Sequence, residues 1–571
     1  MTEAYLEYKD GEQVPVYVNK VGPYANPHET YHYYNLPICR PDQIVHQSLS
    51  LGQVLDGDRM ANSAFDIRFM KKSNLHSLCG KKELNKEEVN ILVEAIEEDY
   101  YAEMIIDDMK VHHFIGRVEE ANVFPHDHTI YLYTHYVFQI EYNAHNVISV
   151  QLRMNKSSVV ELKHDTGSNV EWKYSVEWNE TKENIKSRPS GPSSFFISRV
   201  ARVHWLSILN SLLLVGLLVA VVVLIVFSSV RRDLSRYNSF DGDDDLCLEN
   251  GWKTVAGDVF RPPSHPILLS AILGAGSQLL ALAASVLLIG SMGLMNVHNH
   301  GRLNSLCVVL YALTSGIAGF VSSFKYQSLE GKRWIANINI TSLVFVVPLS
   351  TAWLFNNTVA WMHDSTQALP WTTVLVVLVI WLVIGYPLTV IGGVLGRAAR
   401  MRKAGSTAPF RTRAIPRELP HGSCTRSTPV QALVAGLVPF CAISVELSYI
   451  FSTIWGRDAY TLFYMVAIVF LILIVVVACT SIGVTYLQLN GENYHWWWRS
   501  LLAGGSVSIY VFVYGLMFLF HGSSMTGWVQ LSEFFTHLGL LCYAAFLSCG
   551  TIAHIASSHF VQHIYSSVKS D

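Results

Sequence analysis

A carboxylate stands inside an apolar run: Glu446 in VPFCAISVELSYIFSTIW. Holding a charge at the centre of a bilayer-spanning helix costs about 2.5 to 3.5 kcal/mol on insertion scales, so such a group usually faces a polar interior with a partner. It suits a proton relay, a contact to a bound solute, or a tie between helices. The tie is favoured, because no other strong acid or base sits mid-span to complete a relay. Glu533, His537 and His554 lie in the last apolar run, nearer its ends, and any of them can approach Glu446.

A second set of reactive side chains falls before residue 205. FPHDHTIYLYTH sets His126, His128 and His135 close together, the first two on one strand face. No carboxylate or cysteine spacing completes a metal pattern, so they read as surface or turn histidines and no metal is expected. Of nine cysteines only Cys39 and Cys79 lie in this part, where an oxidising compartment would pair them; two buried thiols are the alternative. Asn155 in NKS and Asn179 in NET are glycosylation acceptors if this part is lumenal. Asn339 in NIT lies inside a span and Asn356 in NNT too near the bilayer. There is no Walker loop, G-x-S-x-G, H-E-x-x-H or dinucleotide fingerprint. No enzyme, cofactor or nucleic-acid partner is expected.

The elements that position these residues follow from apolarity. The 571 residues are 51% hydrophobic and 15% charged, with mean hydropathy +0.29, the mixture of a membrane protein. Residues 1–204 are mixed and polar; beyond them long uncharged runs alternate with short polar ones. Against the ~20 residues a crossing helix needs, nine spans are predicted, near 205–230, 266–294, 303–324, 335–355, 371–395, 430–454, 461–488, 501–520 and 531–555. With the N-terminus outside, the cytosolic segments hold 18 Lys and Arg against 2 in the outer loops, Arg302 and Arg457. A lumenal domain (1–204), a nine-helix bundle (205–555) and a cytosolic tail (556–571) result. Trp496, Trp497 and Trp498 in ENYHWWWRS then mark the cytosolic boundary of the eighth span, with indoles in the lipid interface and Arg499 snorkelling to headgroups. MTEAYLEYKDGEQ lacks the apolar core of a signal peptide, so a lumenal domain implies a leader lost by processing or a different start.

TIYLYTHYVFQIEY and NVEWKYSVEW alternate aromatic and β-branched residues and read as strands; NKEEVNILVEAIEEDYYAEMI, with Val89, Leu92, Val93 and Ile96 at helical spacing, reads as the one helix. The N-terminal domain is therefore mostly β. Small residues in GAGS (274–277), SGIAG (315–319), IGGVLG (391–396) and LAGGS (502–506) point to close helix contacts, as internal packing before a grip on another helix. Pro348, Pro387 and Pro439 allow kinks.

VNKVGPYANPHETYHYYNLPIC, LGQVLDGDR, VHWLSILNSLLLV, RRDLSRYN, DSTQALPWTT, PLTVIGG, PFCAISVELSYIFSTIW and ENYHWWWRS together resemble the nonaspanins, the transmembrane-nine superfamily, over nearly the whole chain. The resemblance implies a lumenal β-sandwich-like domain on a multi-pass α-helical membrane bundle of nine transmembrane helices, in Golgi, endosomal, lysosomal or autophagosomal membranes. It implies a role in sorting or stabilising client transmembrane proteins, and in autophagy for one member. It also gives the ending SSVKSD the form of the family's Lys-any-acid signal, with Lys569 and Asp571 offered to COPI coatomer. A transporter using Glu446 is the other reading; internal repeats with matching broken helices, expected of many transporters, are not detected between spans two to five and six to nine.

Overall fold

The period-2 patterns set the N-terminal architecture. In Ser168–Glu180, Val170, Trp172, Tyr174, Val176 and Trp178 are buried in turn, and in His135–Asn143, Tyr136, Phe138 and Ile140. The computed structural model describes residues 6–120, 128–185, 251–292, 301–402, 427–456 and 463–566, with parts of 212–235 and 412–419. One sheet orders Asn146–Met154, His135–Asn143, Ser168–Glu180 and Ser73–Leu84 side by side, the middle pair parallel. A second lays Tyr31–His32, Val16–Pro23, Tyr100–Ile106 and Met109–Phe114 antiparallel, with Ala61–Asn62 also on Val16–Pro23. Both contribute to one core, in which the Phe65 ring meets Tyr136, Phe138 and Tyr174 edge-on at 5.5, 5.2 and 5.5 Å. A disulfide joins Cys39 to Cys79.

Among the described residues two α-helices, not one, interrupt the strands. α1 (Leu51–Leu55) is held by Ser50, whose backbone N–H donates to Gln53 Oε1 at 2.8 Å. A five-residue helix is set by its cap, so no periodicity announces it. α2 (Lys86–Glu97) buries the expected face of Val89, Leu92, Val93 and Ile96.

Among the described residues, eight helices are long and apolar enough to cross a bilayer: α3 (Pro266–Ser291), α4 (Arg302–Ser328), α5 (Trp334–Met362), α6 (Trp371–Arg402), α7 (Thr428–Trp455), α8 (Phe463–Asn490), α9 (Trp496–Gly522) and α10 (Trp528–Ser566). The chain is a multi-pass membrane protein. The ninth predicted span, 205–230, lies largely outside the described residues. α10 runs eleven residues past the expected boundary at 555, and Val561, Ile564 and Tyr565 on this extension are buried. The first part of the expected cytosolic tail, 556–566, is therefore helical. Asn356 lies within α5.

The glycines close the bundle on itself. A Cβ on Gly319 of α4 would strike Thr389 O of α6, and Cβ atoms on Gly392 and Gly396 of α6 would strike Gly316 O and Phe320 O of α4. Gly276 of α3 meets α10 at Leu547 O, and Gly504 of α9 meets it at Cys549 O. All four small-residue stretches therefore serve internal contacts. Pro387 has no N–H and crowds the carbonyl one turn back; the helix widens into a π turn over Trp381–Gly385 just before it. Gly385 O then accepts from Ser315 Oγ of α4 at 2.9 Å and from Thr389 Oγ1 at 3.0 Å.

Because backbone faces backbone at the α4–α6 contact, Gly319→Leu should force the helices apart, at a cost of about 1–3 kcal/mol or more, and lower the thermal midpoint of the purified protein. Gly539 is the control, because a Cβ there would meet nothing within 4 Å among the described residues; Gly539→Ala should leave the midpoint unchanged or slightly raised. Equal midpoints for the two variants would refute close α4–α6 packing.

Candidate functional site at the junction of the β domain and the bundle

Three adjacent strands and the turn after α1 carry an ionic cluster into the β domain. Val16–Pro23 supplies Asn19 and Lys20, Tyr100–Ile106 supplies Glu103, Met109–Phe114 supplies Lys110 and His112, and the turn after α1 supplies Asp56 and Asp58. Asn19 Nδ2 donates to Asp58 Oδ1 at 2.8 Å and to Glu103 Oε1 at 2.7 Å. Lys20 Nζ lies 3.2 Å from Asp58 Oδ1. Lys110 Nζ lies 3.3, 3.5 and 3.8 Å from Glu103, Asp56 and Asp58, and His112 Nε2 lies 3.1 Å from Glu103 Oε2. Burial alone would raise the Glu103 carboxyl, but Lys110, Lys20 and His112 outweigh it and hold the group well below the usual carboxylate range. Burial would lower the Lys110 ammonium, but Glu103, Asp58 and Asp56 raise it.

Beneath this cluster the segment Asn26–Thr30 is fastened to the bundle. Asn26 Nδ2 donates to Thr526 O at 2.8 Å while Thr526 N donates to Asn26 Oδ1 at 3.0 Å. His28 N donates to Gln530 Oε1 at 3.0 Å, His28 Nε2 lies 2.7 Å from Ile454 O, and His28 Nδ1 lies 3.4 Å from Glu533 Oε1. Thr30 O accepts from Thr366 N at 2.8 Å and from Ser365 Oγ at 2.9 Å. Arg59 donates to Ala368 O at 2.7 Å, and Gly52 abuts Gly301 at the start of α4. The β domain thus rests on the α3–α4, α5–α6, α7–α8 and α9–α10 ends, the set of loops that the charge count groups on one side. A cavity of about 180 Å³ remains at this seam, lined by Lys20, His28, Glu103, His112 and Gln367 among others.

The opposite end of the bundle is aromatic, and there two of the three tryptophans are buried in protein. Trp496 and Trp497 are 4% and 5% exposed, packed with Trp252 and Tyr565 instead of standing in the lipid interface. The cause is the segment before α3: Val259 O and Ser264 O accept from the indole N–H groups of Trp496 and Trp498 at 3.0 and 2.9 Å. An indole buried with its one donor satisfied has no need of headgroups. Arg499 is half-buried beside them.

Inside the bundle Glu446 is buried in α7 at 5% exposure. Glu533 and His537 lie together near the start of α10, at the junction, and His554 lies apart from them, farther along α10. His554 stacks on Trp496 with ring centroids 5.3 Å apart, and its Nδ1 lies 3.2 Å from Ser500 Oγ. Lys325 was not among the predicted residues, because it stands one position past the run read as 303–324. α4 continues to Ser328 and carries its Nζ to 3.4 Å from Ser558 Oγ and 5.9 Å from the Trp496 ring centre. Asn337 Nδ2 donates to Ser322 Oγ at 2.8 Å, and Ser322 and Thr341 share a hydrogen bond of 2.7 Å.

In the β domain Asn179 is exposed, whereas Asn155 is half-buried with its amide 3.3 Å from His135 Nδ1. His128 and His135 begin successive strands, and His126, Lys569 and Asp571 lie outside the described residues. Among the described residues no group of three His, Cys, Asp or Glu is placed to hold a metal ion.

A β-rich domain seated on one end of a multi-pass helical bundle defines the class of this protein. The Endomembrane protein 70 family model matches residues 30–528. Transmembrane 9 superfamily member 1 of Bos taurus and of Mus musculus are each 45% identical over 580 residues, covering 100% of this chain and 95% of the relative. Transmembrane 9 superfamily member 2 of Arabidopsis thaliana is 40% identical over 564 residues, covering 98% and 95%. No solved structure matches. The chain belongs to the transmembrane 9 superfamily.

Removing one partner of a buried charge cluster leaves the others uncompensated, at a cost of roughly 3–5 kcal/mol. In the native protein the depressed Glu103 contributes stability above its unfolded pKa that is lost as pH falls through its lower folded value. Lys110→Met should lower the melting midpoint and flatten or reverse this dependence, because Glu103 then gains from protonation. Melting curves between pH 4 and 8 check it; a midpoint within 1 °C of native at every pH would contradict a stabilising role for Lys110.

Proposed function

We propose that the chain is a sorting factor of endomembranes that holds client transmembrane segments against its bundle, with the β domain lumenal and the C-terminus cytosolic, in Golgi, endosomal, lysosomal or autophagosomal membranes. The observation that carries the reading is Glu446, a carboxylate almost wholly withdrawn from the surface of an apolar span. A polar group at that depth ties helices together by hydrogen bonding, and a client helix offering hydroxyl or amide groups competes for such a tie. The family description, Endomembrane protein 70, supports the compartment. A role in autophagy follows from the same sorting.

Transport by the bundle is the second reading, favoured by the Lys325–Trp496–His554 arrangement and the Ser322–Asn337–Thr341 hydroxyl and amide cluster. The two separate cleanly. For a sorting factor, Glu446→Gln keeps hydrogen bonding and should retain photo-crosslinking to client helices in nanodiscs, whereas Glu446→Leu should lose most of it. Equal loss in both variants, with a pH-driven flux in proteoliposomes that both abolish, would establish the transporter instead.

Orientation and retention share one experiment in cells, on the chain carrying a working signal peptide. An endoglycosidase-sensitive mass shift should appear and vanish in Asn155→Gln with Asn179→Gln, Asn179 supplying the larger share because it is the more open acceptor. Lys569→Ala with Asp571→Ala should weaken COPI coatomer pull-down and move the protein from Golgi to later membranes, with binding that weakens as salt screens the exposed charges. A parent chain without any mass shift overturns the lumenal placement, and unchanged pull-down in the tail variant removes the coatomer assignment.

A further inference from the structure

The seam between β domain and bundle is closed by contacts of two kinds. Those of Asn26 and Thr30 run between amides, hydroxyls and carbonyls, none of which titrates near neutrality. Those of His28 do not share that indifference. Its Nε2 lies 2.7 Å from Ile454 O, a carbonyl that can only accept, so Nε2 carries a hydrogen. Its Nδ1 faces Glu533 Oε1 at 3.4 Å. Two arrangements make that second contact favourable. Either His28 is an imidazolium and Nδ1–H points at a carboxylate, or His28 is neutral and a protonated Glu533 points its O–H at Nδ1. Both hold one proton more than a neutral imidazole and an ionised carboxylate. Without that proton, a nitrogen lone pair faces carboxylate lone pairs.

We propose that His28, Glu533 and the Ile454 carbonyl form a proton-binding site that locks the β domain onto the bundle, so that the seam tightens in an acidic compartment and loosens near neutral pH.

The surrounding charges suit a single proton. His537 stacks on His28 with ring centroids 6.1 Å apart, and its Nδ1 lies 2.9 Å from Glu533 O and 3.9 Å from Glu533 Oε1, so a second charge there would repel the first. Across the cavity stand Lys20, Asp56, Tyr101, Glu103 and His112. Lys20 opposes an imidazolium but is drawn to Asp58 at 3.2 Å, and Glu103 is drawn to Lys110 and His112. Within the segment itself, Glu29 accepts from Asn26 and Tyr31 at 2.7 and 2.8 Å. The same cavity gives water a route to His28, which is 27% exposed against 7% for Glu533.

The sign follows from proton counts. For groups returned to water on undocking, an ordinary imidazole titrates near ~6.5 and an ordinary glutamate carboxyl near ~4.3. Between those values the undocked pair already holds one proton, and docking is fully favoured. As pH rises above ~6.5 the undocked pair releases its proton while the docked pair keeps it, so opening becomes easier by up to about tenfold per pH unit until the docked site itself titrates. Below ~4.3 the undocked pair takes a second proton and the advantage declines.

The test is hydrogen–deuterium exchange of the full chain in nanodiscs, corrected for intrinsic exchange, read in peptides covering 24–32 and 524–540 at pH 5.5 and 7.5. Protection should be several-fold greater at pH 5.5. His28→Gln should show the same protection at both pH values, and His28→Lys, whose charge persists, should stay protected at 7.5. Thermal midpoints confirm that each variant is folded, and Glu533→Gln provides an independent route to a flat response. Native protection that does not change between the two pH values overturns the proposal, as does a response that survives in His28→Gln. Client crosslinking reads a different part of the molecule, so its outcome does not decide this one.

Discussion

The ends of helices leave backbone amides and carbonyls unpaired, and where such groups are buried each costs free energy unless protein supplies a partner. The two halves of this protein are joined where that constraint applies. The turn at Thr526 and the loop at Ser365–Ala368 would present bare backbone groups at the ends of α9 and α5, and Asn26, Thr30 and Arg59 pair with them. The β domain is therefore a structural part of the bundle's end, as much as a domain standing on it. It is also why the stretches that resemble the family, far apart in the chain, meet here: the NPHET segment, the LGQVLDGDR turn, the DSTQALP loop and the end of the span that holds Glu446.

The ionic cluster above the seam answers the same constraint with charge. Asp58 and Glu103 are buried, and each is met by Asn19 and by a lysine. Such an arrangement contributes little net stability over an apolar core, yet it is costly to break and fixes the position of every member. Lys20 and Glu103 consequently stand at set places on the wall of the cavity that His28 also lines.

How much of this was legible in the sequence depends on the range of the interaction. Alternation gave the strands of Ser168–Glu180 and His135–Asn143, and apolar length gave α3 to α10, since each is a local pattern. α1 escaped because a capped five-residue turn has no period. Lys325 escaped because a span boundary was drawn where the charge begins, whereas a helix ends where its hydrogen bonds end. The tryptophans read as interfacial because composition carries no information about the segment before α3 that covers them. His28 and Glu533 are 505 positions apart, and nothing in the neighbourhood of either names the other.

The two ends of the bundle consequently differ in kind. At the aromatic end, indole and phenol donors meet backbone carbonyls, as in Tyr565 Oη to Trp252 O at 2.6 Å, and those bonds do not change near neutral pH. At the seam, one contact depends on a proton. α10 spans both, reaching from Glu533 to Tyr565 over roughly 45–50 Å of continuous helix. One position from Glu533, Phe534 packs against Trp455 with ring centroids 4.8 Å apart, in a cluster that also holds Leu447 and Phe451 of α7. The seam end of α10 is thus packed directly on the helix that carries Glu446, while its far terminus is packed into the aromatic end.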